Sequence, residues 1–285
     1  MDAVRYAGAL ALAFAAGCAA PAPSALPGWR AGDGIPIPHW FSLKSPSGKD
    51  LLDESPSRYP HHCALWIADK VQLGDGPIVD YYHRTSERSA ITPASEARWA
   101  TQDDRSMFTA TLRWVTDGTP VLDDERKLVF TMLEAGEYLF DLEWTLRAAY
   151  GDVSFHSDAV HYAWPYLRLH PQFSVEHGGA LVDDQGRSGQ AATNLRHANW
   201  VDASASIDGV TEGVAVFLPQ DGEWRKFVTR DYGIIGPRRA DARSGKPFVL
   251  ARGESLGGRV RIFVHRGDAT SGKVAARYRE YVAGR

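Results

Sequence analysis

Tyr138, Phe140, Leu142, Trp144 and Leu146 fall at every second position, with Asp141, Glu143, Thr145 and Arg147 between them. On a helix these apolar side chains would be spread around the axis. On a strand they share one face, and the charged residues share the other. A strand wetted on one side belongs in an antiparallel sheet with a single buried face. Phe108, Ala110, Leu112 and Trp114 repeat the pattern, as do Leu128, Phe130 and Met132. Asp117-Gly118 and Ala135-Gly136-Glu137 supply hairpin turns between these strands. Val214 to Leu218 and Val260 to Val264 add further strands. Helical spacing occurs only at the end, where Val274, Tyr278, Tyr281 and Val282 follow Gly272. The expected fold is all-β, an antiparallel β-sandwich with a short C-terminal helix.

The first residues read differently. Arg5 precedes an apolar stretch, Ala7 to Ala16, of signal-peptide length and too short to span a bilayer. It runs into Ala15-Ala16-Gly17-Cys18, small residues before a cysteine, as in a lipoprotein signal. The expected organisation is a signal peptide over 1–17, a lipidated Cys18 with an Ala/Pro/Ser tether over 18–27, and one β-sandwich domain over 28–285. The expected location is therefore outside the cytoplasm, in the periplasm or anchored at the outer membrane, with the lipid as the only link to a membrane. Cys63 is the second of two cysteines, so lipidation of Cys18 leaves no intrachain disulfide. A chain this long can bury a core large enough to do without one.

The net charge of −3 carries no basic excess, which argues against a nucleic-acid partner. Aromatic residues make up 11% of the chain, including nine tryptophans, and such rings fill cores or stack on sugar faces. No phosphate-binding glycine loop, dinucleotide fingerprint, nucleophile elbow or His-Glu-x-x-His is present. Two cysteines exclude a cysteine-rich metal site.

Chemistry must then come from dispersed histidines, carboxylates and aromatics. Tyr59-Pro60-His61-His62 opens an apolar run through Leu65-Trp66, placing two histidines at a strand mouth. If the strand begins at His61, alternation lets only one of them face a given site; if it begins after His62, both can. In Ile78 to Arg84, a strand reading puts Asp80 with Tyr82 and sets His83 on the opposite face. Phe155 to His170 is dense in polar aromatics, and His156 and Asp158 share one face while His161 takes the other. A histidine and a carboxylate so placed serve as base and orienter, or as ligands of a divalent ion. Arg230-Asp231-Tyr232 suits a hydroxylated or carboxylated ligand. For each group the structural alternative is a hydrogen-bonded core or turn residue.

In order along the chain, Ser45-Pro46-Ser47-Gly48, Tyr59-Pro60-His61-His62, Asp141-Leu142-Glu143-Trp144, Ala198-Asn199-Trp200-Val201-Asp202, Arg230-Asp231-Tyr232-Gly233 and His265-Arg266-Gly267-Asp268 resemble one bacterial family. It is PmoA-like, labelled "methane oxygenase PmoA", and its domain has no known function. The resemblance runs from Pro36 to Ala283. The sequence departs from the pattern at Arg58-Tyr59, Cys63-Ala64 and Leu218-Pro219-Gln220-Asp221. The label does not make this chain a methane monooxygenase, because residues 28–285 contain no apolar stretch of about 20 residues. The resemblance implies a sandwich of the galactose-mutarotase type and carbohydrate handling outside the cytoplasm.

Two functions follow as expectations. One is an enzyme acting on a saccharide, either a glycoside hydrolase or a lyase, with His62, His161, Asp231 and Asp158 as catalytic groups. Trp66, Trp164, Trp200, Arg230 and Tyr232 would bind the substrate. The cofactor is left open; a divalent metal would fall to His61, His62 or His156. The other is a non-catalytic surface lipoprotein that binds glycan. A β-sandwich without a ligand is the third reading.

Overall fold

In a computed structural model of the chain, residues 26–84, 88–102, 105–156, 163–220, 224–239 and 247–284 are described. Every strand pairing among them is antiparallel. The strands form sheets of nine, seven and four. The nine-stranded sheet runs Ala180–Asp183, Trp200–Ile207, Val210–Phe217, Ser255–Arg266, Tyr138–Arg147, Thr119–Met132, Arg105–Thr116 and Ser89–Pro93, with Arg98–Gln102 also paired to Arg105–Thr116. Tyr138, Phe140, Leu142, Trp144 and Leu146 all point inward and are buried. Asp117 and Gly118 both take positive φ (53° and 74°), as a two-residue hairpin requires. The alternation therefore forms the strands and turns expected of it.

The seven-stranded sheet is built of shorter pieces: Trp29–Gly32, Ile35–Trp40, Leu65–Trp66, Tyr166–Arg168, Ile234–Arg239, Trp224–Arg230 and Arg196–His197. The four-stranded sheet joins Phe248–Leu250, Val153–Phe155, Lys70–Leu73 and Val79–Asp80. One apolar cluster takes side chains from all three, including Trp40, Trp66, Val71, Trp114, Trp144 and Phe155. Within it lies an ion pair of fully buried groups. Arg126 reaches Asp124 at 2.9 Å and 3.2 Å and donates to the Pro38 and Ile67 carbonyls at 2.9 Å and 3.3 Å. Trp114 Nε1 donates to the same carboxylate at 3.1 Å. The pair thus ties the nine-stranded sheet to the segment that leads out of Leu65–Trp66.

The C-terminal helix, Val274–Ala283, covers the outer face of the nine-stranded sheet. Val274 and Tyr278 pack there on Trp200, Phe217 and Phe263, with Leu139 at the edge. No helix of the described residues is long and apolar enough to cross a membrane.

Candidate functional site

Two turns and one sheet edge converge on a cleft of about 180 Å³. The first turn follows Pro60. His62 N–H donates to the Tyr59 carbonyl at 3.0 Å, and Ala64 sits at φ 61°, so the strand begins only at Leu65. With no strand running through them, the two histidines escape alternation, and both His61 and His62 line the cleft. The second turn follows Val79–Asp80 and delivers Tyr82 and His83. Arg84, at φ 57°, joins the two turns by donating to the Pro60 carbonyl. From the seven-stranded sheet come Tyr166, Val228, Arg230 and Ile234. Tyr232 is presented by a turn closed from Gly233 N–H to the Arg230 carbonyl at 2.9 Å. Gly233 lies at φ 94°, and a Cβ there would come 3.2 Å from Leu169, so the turn needs glycine.

The cleft has a buried floor and a half-open wall. His62, Tyr82 and Tyr166 form the floor and are nearly closed to solvent. Trp66 lies beneath it, fully buried, its ring 5.1 Å from Tyr166 and 5.3 Å from His62. Tyr59, His61, His83, Arg230 and Tyr232 make the partly exposed wall. Tyr59 and Tyr232 rings are 4.7 Å apart, and the Arg168 guanidinium stands 4.9 Å over Tyr232.

His83 is held by Asp80. Its Nδ1 lies 2.8 Å from Asp80 Oδ2, while its backbone N–H donates to Oδ1 at 2.9 Å. Lys70 Nζ is 3.6 Å from the same carboxylate. Since the carboxylate accepts a hydrogen from Nδ1, the neutral ring carries its basic lone pair on Nε2. That is the arrangement of a general base with its orienting acid. The strand reading had separated these residues onto opposite faces. The strand in fact stops at Asp80, and the following turn brings position 83 back over position 80. Burial, then neighbouring Tyr59, raises the Tyr232 phenol above its ordinary value, which keeps it protonated as a donor.

Of the sequence candidates, His61, His62, Arg230 and Tyr232 meet in this cleft. Trp66 supports it from below and has no face open to a ligand, because Tyr166 and His62 cover it. Trp164 packs on Phe155 in the core, with ring centroids 5.1 Å apart. Trp200 belongs to the opposite, helix-covered face of the nine-stranded sheet. Tryptophan therefore does not wall the cleft; tyrosine does. Asp231 points away, accepting from Gln190 N–H at 2.8 Å and so fixing the short helix Gly189–Thr193. His156 is bonded to Gln72 at 3.0 Å, and burial lowers its pKa. Asp158, His161 and Cys18 lie outside the described residues. Among the described residues no three His, Cys, Asp or Glu side chains are grouped to hold a metal ion. Sequence reasoning missed Asp80 with His83 as a pair, and Tyr59, Tyr82 and Tyr166 as lining.

A wider hollow of about 570 Å³ lies beside the C-terminal helix. Its charged groups already bond one another, Arg277 to Glu280 at 2.9 Å and Arg266 N–H to Glu137 at 3.0 Å, and no aromatic ring lines it. It offers no stacking face and no oriented base.

The profile of a family described as "Family of unknown function (DUF6807)" matches residues 29–279. The unknown-function part of the expected resemblance is there; the methane-oxygenase label is not. No curated protein matches the sequence. Among solved structures, the chain is similar to the GH36 α-galactosidase AgaB of Geobacillus stearothermophilus (10% identity, TM-score 0.42, 72% of this chain and 30% of that one). It is similar to a glycoside hydrolase family 97 enzyme of Pseudoalteromonas sp. strain K8, solved with acarbose (9%, 0.45, 83% and 34%). A GalM/aldose epimerase homologue from C. elegans gives 10%, 0.33, 85% and 100%. The chain spans about a third of the length of the two hydrolases.

Proposed function

We propose a saccharide-directed role for this chain, which belongs to the family of unknown function DUF6807. The observation that carries the proposal is the cleft itself: four tyrosines, three histidines and one arginine on a single small hollow. Tyrosine rings offer flat apolar faces for sugar C–H groups, and their hydroxyls meet sugar hydroxyls at the edge. A volume of about 180 Å³ is below the roughly 300–1,000 Å³ of drug-sized sites, which suits one sugar unit of a longer chain.

The Asp80–His83 pair favours an enzyme over a passive receptor. A binding surface has no use for an imidazole held in one tautomer. In this reading His83 is the base, Asp80 positions it, and Tyr232 is the proton donor. A hydrolase of the usual kind flanks the bond with two carboxylates. The described cleft lining includes none, so His/Tyr acid–base chemistry is the better reading of this site. A non-catalytic glycan-binding role rests on the same tyrosines without using the pair. Export, with a lipid on Cys18, would place this chemistry outside the cytoplasm; palmitate labelling lost in Cys18→Ser tests that part.

The experiment is binding of the purified protein to an immobilised panel of neutral and acidic oligosaccharides. Wild type should bind at least one class, and Tyr232→Ala should abolish that binding. Binding unaffected by Tyr232→Ala, or none at all, would remove the cleft from consideration. His83→Ala should keep binding and lose turnover; turnover at the wild-type rate would exclude His83 as the base.

A further inference from the structure

We infer that the saccharide is acidic, a hexuronate-containing chain, and that the cleft cleaves it by elimination. The inference rests on the saccharide reading above and specifies its substrate. Apart from the titratable histidines, Arg230 is the only formally charged side chain on the described cleft lining. Its Nη1 donates to Asn194 Oδ1 at 2.7 Å and to the Thr229 carbonyl at 2.8 Å, both neutral oxygens that hold the guanidinium in place without cancelling its charge. Further positive charge stands behind the wall, since Arg168 and Arg58 lie 4.9 Å and 5.6 Å over the Tyr232 ring. A fixed guanidinium beside tyrosine rings matches a ligand that carries a carboxylate on a sugar ring.

That carboxylate also makes the chemistry accessible. The hydrogen on the ring carbon next to it is acidified, and an adjacent cation stabilises the charge that develops on the carboxylate oxygens. His83 Nε2 takes the proton from C5, and the C5–H electron pair becomes the C4–C5 double bond. The C4–O bond breaks, and the leaving oxygen receives the phenol proton of Tyr232. The proton on His83 then returns through water to the Tyr232 phenolate. Neither water nor any oxidant is consumed.

The test pairs a binding arm with a product arm. A hexuronate and its matching neutral hexose are titrated into the intact protein by calorimetry, with Arg230→Gln and Arg230→Lys alongside. Wild type should prefer the hexuronate by about tenfold or more, as a charge-assisted contact predicts. Arg230→Gln should erase that preference, and Arg230→Lys should retain part of it. In the product arm, an oligouronate should gain the ultraviolet absorbance of a conjugated double bond, and Asp80→Asn should slow that gain at least tenfold with little change in KM. Equal or tighter binding of the neutral hexose would overturn the acidic class while leaving the saccharide cleft standing. Binding of neither sugar or of their oligomers would overturn both. Uronate binding with no absorbance gain would refute the elimination step.

Discussion

Removing the Asp124 carboxylate tests how the cleft is held to the core. Asp124 and Arg126 have no solvent exposure. Asp124→Ala deletes two guanidinium–carboxylate bonds, at 2.9 Å and 3.2 Å, and the acceptor of Trp114 Nε1 at 3.1 Å. It leaves a buried cation with only the Pro38 and Ile67 carbonyls. Breaking one side of a buried pair costs about 3–5 kcal/mol, because the surviving charge stays desolvated. That is a large part of the roughly 5–15 kcal/mol by which a domain is stable, and corresponds to a fall in Tm of about 10 °C. Replacing both partners, Asp124→Leu with Arg126→Met, removes the stranded charge and should cost less than Asp124→Ala alone. Equilibrium urea unfolding, followed by circular dichroism and tryptophan fluorescence, measures both. A single variant within about 1 kcal/mol of wild type, or a double variant worse than the single, would refute the reasoning. Because Arg126 also grips the Ile67 carbonyl, both variants should loosen the His62–Trp66 segment and weaken ligand binding even where the protein remains folded.

Two further outcomes follow from buried groups. His265 Nε2 is 2.7 Å from Asp202 Oδ2, and both are fully buried. Burial opposes the imidazolium most strongly, but the bond and the charge of Asp202 outweigh it and raise His265 above the ordinary value; burial also raises Asp202, and the contact with His265 offsets only part of that rise. The folded pair holds its proton more tightly than the unfolded chain. Stability from His265 is therefore complete below the unfolded value of about 6.5 and is lost as pH rises through the folded one. Thermal unfolding across this window should show the decline in wild type and a flatter profile in His265→Gln; parallel profiles would contradict the assignment. Cys63 is 2% exposed and burial pushes its thiol up to about 12, so iodoacetamide should leave it unmodified in native protein and alkylate it in urea; rapid native alkylation would contradict that burial.

The sequence made the nine-stranded sheet legible because one-sided burial imprints a period of two, as in Tyr138–Arg147. The seven-stranded sheet left a weaker trace. Residues 62–68 are buried throughout, so they read as a plain apolar run, of which only Leu65–Trp66 is strand. Trp200 looked like a ligand-stacking residue because nothing local announces that a helix more than 70 residues later covers it. The candidate site was half visible. Pro60 marked the turn that frees His61 and His62 from alternation. The Asp80–His83 pair was hidden because Val79 to His83 reads as continuous strand, and the break after Asp80 arises from tertiary contacts, among them Tyr81 N–H donating to the Asp69 carbonyl at 3.1 Å. Tyr59 and Tyr232 meet across 173 positions, a distance at which no sequence pattern speaks.

The account stands or falls on where a sugar binds, and histidine NMR reads that without requiring turnover. Imidazole signals are assigned by single substitutions, and a soluble oligouronate is titrated into the intact protein. The signals of His61, His62 and His83 should move together and saturably, while those of His39, His156 and His265, bonded to Glu54, Gln72 and Asp202, stay fixed. Saturable shifts confined to the second group, or none in the first, would contradict a saccharide site in this cleft.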